Sequence, residues 1–177
     1  MRAKFLVGAI AVVSAVLLGA CGGNADHNAD DVAFAQQMIP HHNQALDMAK
    51  LVPSRSTDPK VLDLASRIEK AQDPEIRQMR DWLTAWGAGM THESMPGMSG
   101  SMPGMMSDAG LRKLETVKGA EFDRTWLDMM IEHHQGAVVM ARTELAKGGS
   151  ADAKALAGKI IDAQQAEITE MRGLLAR

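Results

Sequence analysis

Residues 31–83 recur as residues 123–175 at a constant offset of 92 positions without a gap, and eighteen of the 53 aligned pairs are identical. A chain with such a duplication builds one unit twice and buries the apolar face of one copy against the other. The identical pairs fall at helical spacing. Met38, Ile39, His41, His42, Ala45, Met48 and Ala49 return as Met130, Ile131, His133, His134, Ala137, Met140 and Ala141. Further on, Ala71, Gln72, Glu75, Ile76, Met79, Arg80 and Leu83 return as Ala163, Gln164, Glu167, Ile168, Met171, Arg172 and Leu175.

Each copy predicts a helix hairpin. In the first (31–89), a helix runs from about Asp31 to Val52 and ends near Pro53. Asp58 can cap a second helix that carries Pro59 in its first turn and stops at Gly87 and Gly89. In the second (121–177), a helix from about Glu121 to Lys147 ends at Gly148-Gly149, and Ser150 can cap a last helix reaching Leu175. Only 3% of residues are aromatic and none is Tyr, which favours helices over strands. With 46% hydrophobic residues the chain can bury a core. The predicted fold is all-α, a four-helix bundle of two pseudo-symmetric hairpins forming one domain over 31–177. Between the hairpins, 90–120 reads as a Met-rich loop and a short helix. Met90 to Met106 is dense in Gly, Pro, Ser and Met and holds Met-Pro-Gly-Met twice, which predicts a flexible loop rather than packed structure. Ser107 can cap a short helix to about Lys118.

Residues 1–20 read as an export signal. Arg2 and Lys4 precede an uncharged apolar stretch, Phe5 to Leu17, too short for a comfortable membrane span. The stretch ends in Leu18-Gly19-Ala20-Cys21, which resembles the lipobox of bacterial lipoproteins and implies cleavage before Cys21 and lipidation of its thiol. Residues 21–30 would then be lipidated Cys and tether. An uncleaved apolar anchor is the rival. Either way the expected location is extracytoplasmic and membrane-tethered, on the periplasmic side or the outer cell surface. Without the signal the chain keeps 17 basic and 22 acidic residues, formally −5, so a nucleic-acid partner is not expected. Cys21 is the only cysteine. If it is lipidated, neither disulfide nor thiolate chemistry remains, and a metal site must use His, Met, carboxylates or backbone.

On a helix turning about 100° per residue, Met38, His41, His42, Ala45, Met48 and Ala49 share roughly a third of the circumference. Met130, His133, His134 and Met140 repeat that arc. The second helix of each hairpin adds Gln72, Glu75 and Met79, or Gln164, Glu167 and Met171, on one face. Buried imidazole pairs need acceptors, water or a metal. His is the commonest metal ligand and the Met thioether is soft, which points to Cu(I) or Ag(I). Adjacent histidines point apart, so one of each pair is expected to ligate while the other supports it or serves a neighbouring site. Glu75, Met79, Glu167 and Met171 are expected in a secondary or supporting role. The competing reading is structural: Met as core filler and His bonded to Glu75 or Glu167. Di-iron bundles use Glu from two helices and Glu-x-x-His from the other two. Here Met38 and Met130 stand three residues before His41 and His133, which moves the preference from iron towards copper. The copper ion is not expected to be needed for the fold.

The loop concentrates Met90, His92, Met95, Met98, Met102, Met105 and Met106. It reads either as a low-complexity linker or as a thioether arm that captures Cu(I) and passes it to the bundle. Pro40 falls inside the first helix and should kink it, whereas its counterpart is Glu132. Arg67, Lys70, Arg77 and Lys159 read as a solvated face.

The Met-Ile-x-His-His-x-x-Ala-x-x-Met-Ala segments, each followed by Gln-x-x-Glu-Ile-x-x-Met, resemble the bacterial domain of unknown function 305 family over about Asp30 to Leu175. Met-Pro-Gly-Met-Met ahead of the second copy does so too. The resemblance implies a ferritin-like bundle, often exported or lipid-anchored, with some members linked to copper binding and tolerance in the periplasm. It carries over to Met38, His41, His42, Met48, Met130, His133, His134 and Met140. The expectation is a non-enzymatic lipoprotein that buffers or sequesters Cu(I) or Ag(I), with unidentified copper-transport or resistance proteins as partners. The alternatives are a metal-dependent oxidoreductase using His with Glu75 and Glu167, and a structural or interaction lipoprotein without metal.

Overall fold

Asn28 opens the first helix. Its side chain accepts from the backbone N–H of Asp30 and Asp31, while Asp31 accepts from the Asn28 N–H, a reciprocal cap. The computed structural model describes residues 26–89 and 102–177. The expected signal segment, Cys21 and the loop residues Met90, His92, Met95 and Met98 lie outside the described residues. Helix α1 spans Ala29–Leu51 and a 3₁₀ turn follows at Val52–Ser54. Helix α2 is Pro59–Ala85, α3 Asp108–Leu114, α4 Gly119–Lys147 and α5 Ala151–Leu175. The described residues contain no strand. None of their helices is long and apolar enough to cross a membrane.

Local chemistry accounts for the helix ends. Asp58 accepts from the Lys60 N–H, with Pro59 in the first turn of α2 where no N–H is missed. Ser107 and Ser150 accept from the N–H groups of Gly110 and Ala153, at the starts of α3 and α5. Gly87 follows α2 with φ +65°, a left-handed conformation that suits glycine at a helix end. Helix α1 runs on through Pro40, and α2 carries Pro74 in the same way.

The hairpins are α1 with α2 and α4 with α5, and they meet mainly along α1 and α4. Two buried clusters result. One gathers Met48, Trp126, Met130 and Met171 with Met106; the other gathers Met38, Phe34, Met79 and Met140. The duplication exchanges them, since Met38, Met79 and Met140 in one correspond to Met130, Met171 and Met48 in the other. Each cluster therefore takes two of these methionines from one hairpin and the third from its partner. The ferritin-like bundle is thus closed by sharing core between the copies. Across the outer face, Arg67 of α2 donates to Asp63 and to Glu170 of α5.

One expectation for the interhelix loop is corrected. Its last part is packed: Met102 and Met106 are buried and Met105 is half-buried. Gln44 clasps the Met106 main chain, donating to its carbonyl at 3.0 Å and accepting from its N–H at 2.8 Å. A Gly-Pro-Met composition suggests mobility because such residues rarely nucleate structure. Here an outside amide satisfies the backbone, so the segment can be buried without orphaned polar groups.

Candidate metal centre

All four histidines of the duplicated motif are fully buried on α1 and α4. Adjacent positions diverge by about 100°, which splits each pair into two roles. His42 and His134 turn back into their own hairpins. The His42 Nε2 lies 2.8 Å from the Glu75 carboxylate on α2, and the His134 Nε2 lies 2.7 Å from that of Glu167 on α5. His41 and His133 instead face each other across the seam between hairpins, ring centroids 3.7 Å apart and planes tilted by 34°.

The Nδ1 atoms of all four rings, and the Nε2 of His133, have no hydrogen-bond partner. The His41 Nε2 is 3.1 Å from the Pro103 carbonyl oxygen. A His–Glu network therefore accounts for two ring nitrogens and the Pro103 carbonyl for a third, leaving five. At even about 1 kcal/mol for each unmet group, the sum reaches the lower end of a domain's net stability. Burial, and then the neighbouring His42, lowers the His41 pKa to about 3. Burial, and then His41, holds His133 well below its usual value. Both rings are neutral at physiological pH, the form in which imidazole binds metals.

The predicted thioethers are buried in the core of the same bundle. Met38, Met48, Met79, Met130 and Met171 are fully buried and Met140 nearly so, three in each core cluster. Among the described residues no three His, Cys, Asp or Glu side chains gather into a cluster able to hold an ion. Imidazole nitrogens without partners and buried thioethers are donors that suit a soft ion of low coordination number better than an oxygen-seeking one. Gln72 and Gln164, one turn before Glu75 and Glu167, are also buried and incompletely bonded.

Other contributors were missed in the sequence. The strap Met102–Met106 lies against α4 where Gly136 has no side chain. A Cβ on Gly136 would stand 2.0 Å from the Pro103 oxygen. Gly104 has φ +75°, and a Cβ there would stand 2.6 Å from the Glu132 carbonyl oxygen. Gly136 is the counterpart of Gln44, so the duplication breaks at the two positions that hold the strap. That divergence was the available signal. Asp31 was missed as well: its carboxylate accepts from the Gly149 and Ser150 N–H groups and ties the start of α1 to the α4–α5 turn. Glu144 is buried next to it. Burial, and then the neighbouring Asp31, pushes the Glu144 pKa up to about 8.

Fold and site define a ferritin-like four-helix bundle with a buried, pseudo-symmetric set of four histidines. The chain belongs to the family described as Domain of unknown function (DUF305), whose model matches residues 31–175. A DUF305 protein from Streptomyces coelicolor is 35% identical with a TM-score of 0.78, over 86% of this chain and 94% of that one. CopM in its Cu(II)-bound form is 32% identical with a TM-score of 0.72, over 82% and 95%. CopM has also been solved in Cu(I)-bound and Ag-bound forms, so relatives of this chain include a protein that binds copper and silver. A 54-residue segment, 30% of this chain, is 39% identical to Uncharacterized protein L153 of Acanthamoeba polyphaga mimivirus and spans 36% of that protein.

Proposed function

We propose that this protein binds Cu(I), or Ag(I), without catalysing a reaction, and that it buffers or sequesters the ion outside the cytoplasm while tethered through a lipid on Cys21. The observation that carries the reading is the buried quartet of His41, His42, His133 and His134, with five ring nitrogens unmet and the motif methionines buried on the same helices. The copper and silver forms of CopM support the choice of metal. The export-type segment ahead of Cys21 supports the location. Met90, His92, Met95 and Met98 would act as the capture arm that feeds the bundle, with unidentified copper-transport or resistance proteins as donors or acceptors of the ion.

The test is a Cu(I) titration of the purified full chain against a competing chelator under reducing, anaerobic conditions. A variant with His41, His42, His133 and His134 all replaced by Ala runs alongside. Tight binding that the variant loses while staying helical is the expected result. Full affinity retained by the variant would move the site to the Met-rich loop, and no competition by either protein would end the copper reading.

A further inference from the structure

The donor atoms of the centre follow from what the far sides of its rings touch. Carboxylate and carbonyl oxygens only accept, so an imidazole whose Nε2 lies within 3.1 Å of one carries a proton on Nε2, which leaves Nδ1 as the nitrogen for a metal. This holds for His42 against Glu75, His134 against Glu167 and His41 against the Pro103 carbonyl. The opposite tautomer would be penalised twice. It would place two acceptors face to face at Nε2 and leave a buried N–H without an acceptor at Nδ1. His133 differs, because neither of its nitrogens has a partner and nothing selects its tautomer.

We infer that His41, His42 and His134 each offer Nδ1, and not Nε2, as a soft-metal donor, without all three meeting on one ion, and that Glu75, Glu167 and the Pro103 carbonyl are positioning groups that hold the proton on Nε2. The inference rests on the metal-binding reading above and specifies the atoms at that site. His133 is the adaptable member, free to offer either nitrogen. The arrangement also makes the two copies unequal: the Pro103 carbonyl of the strap sets His41, while its counterpart His133 has no such partner. A hydrogen-bonded far nitrogen both orients a ligating ring and raises its basicity, so loss of such a group weakens metal affinity by roughly ten- to a hundredfold.

The experiment is long-range proton–nitrogen NMR of the full chain with labelled histidine, metal-free and then titrated with Ag(I), with Glu75→Leu and Glu75→Gln beside it. Metal-free, His41, His42 and His134 are expected as Nε2–H tautomers. Ag(I) should shift their Nδ1 resonances strongly and leave Nε2 little changed. In E75L, His42 alone should lose its tautomer preference and affinity should fall about tenfold or more. E75Q keeps an acceptor oxygen and should restore the tautomer. Nδ1–H tautomers in the metal-free protein, or Ag(I) shifts on Nε2, would overturn the assignment while leaving metal binding intact. Shifts on no imidazole at all would overturn both the assignment and the bundle as the metal site.

Discussion

At the scale of single residues, the positions that matter most outside the histidines are the unequal pair Gln44 and Gly136. Gln44 makes two buried hydrogen bonds to the Met106 backbone, and Gly136 leaves room for Pro103 and Gly104 to lie on α4. Gln44→Leu should strand one buried N–H and one carbonyl and cost about 2 kcal/mol in urea unfolding. Gly136→Ala should lift the strap rather than deform α4, at about 1–3 kcal/mol. Both act on one segment, so the double variant should lose less than the sum of the two. Hydrogen exchange at the Met106 N–H, fast in either variant and slow in the parent, would separate release of the strap from general loosening. Nothing in a helical periodicity marks Gln44 as a clasp. Its amide finds its partner 62 residues away, a contact that local spacing does not encode.

At the scale of elements, helix starts are local and were legible: Asp58, Ser107 and Ser150 cap as their sequence context implies. The start of α1 is different. Asp31 belongs to the Asn28 cap and also holds the α4–α5 turn through Gly149 and Ser150. Asp31→Ala should therefore cost about 2–3 kcal/mol in thermal or chemical unfolding. Arg67→Ala, which breaks only exposed pairs with Asp63 and Glu170, should cost under about 0.5 kcal/mol. The neighbour of Asp31 supplies a pH dependence. Burial, with Asp31 beside it, raises the Glu144 pKa from the ordinary 4.5 to about 8. Between those values the folded state keeps a proton that the unfolded chain has lost, so stability falls as pH rises through this window. Compared with Glu144→Gln, the parent should lose about 1–2 kcal/mol between pH 5 and 8, the shift being discounted for water at the helix groove. A parent and a variant with parallel pH profiles would show that Glu144 ionises freely.

At the scale of the whole molecule, the bundle places His41 and His133 at the seam between the two copies, so an ion held there would bridge the hairpins. Ligand that binds only the folded state stabilises it by mass action, about 2.7 kcal/mol at a hundred times its dissociation constant. Saturating Ag(I) should raise the thermal midpoint of the parent and leave the four-histidine variant unmoved; equal shifts in both would place the ion elsewhere. The all-α class, the hairpin pairing and the inward face bearing Met38, His41, His42 and Met48 were all legible in the sequence, because a duplicated helical periodicity fixes which residues share a face. Periodicity carries no information about what lies opposite that face. Only the tertiary structure decided that His42 and His134 turn to Glu75 and Glu167 while His41 and His133 meet each other. Only it decided that the methionines are shared between copies, and that a Gly-Pro-Met segment becomes a packed strap. The sequence by itself determined the chemistry on each helix, which depends on neighbours three and four residues apart. The partners of those side chains depend on packing between segments up to 119 residues distant, as at Asp31 and Ser150, and are set by the shape in which the two copies close.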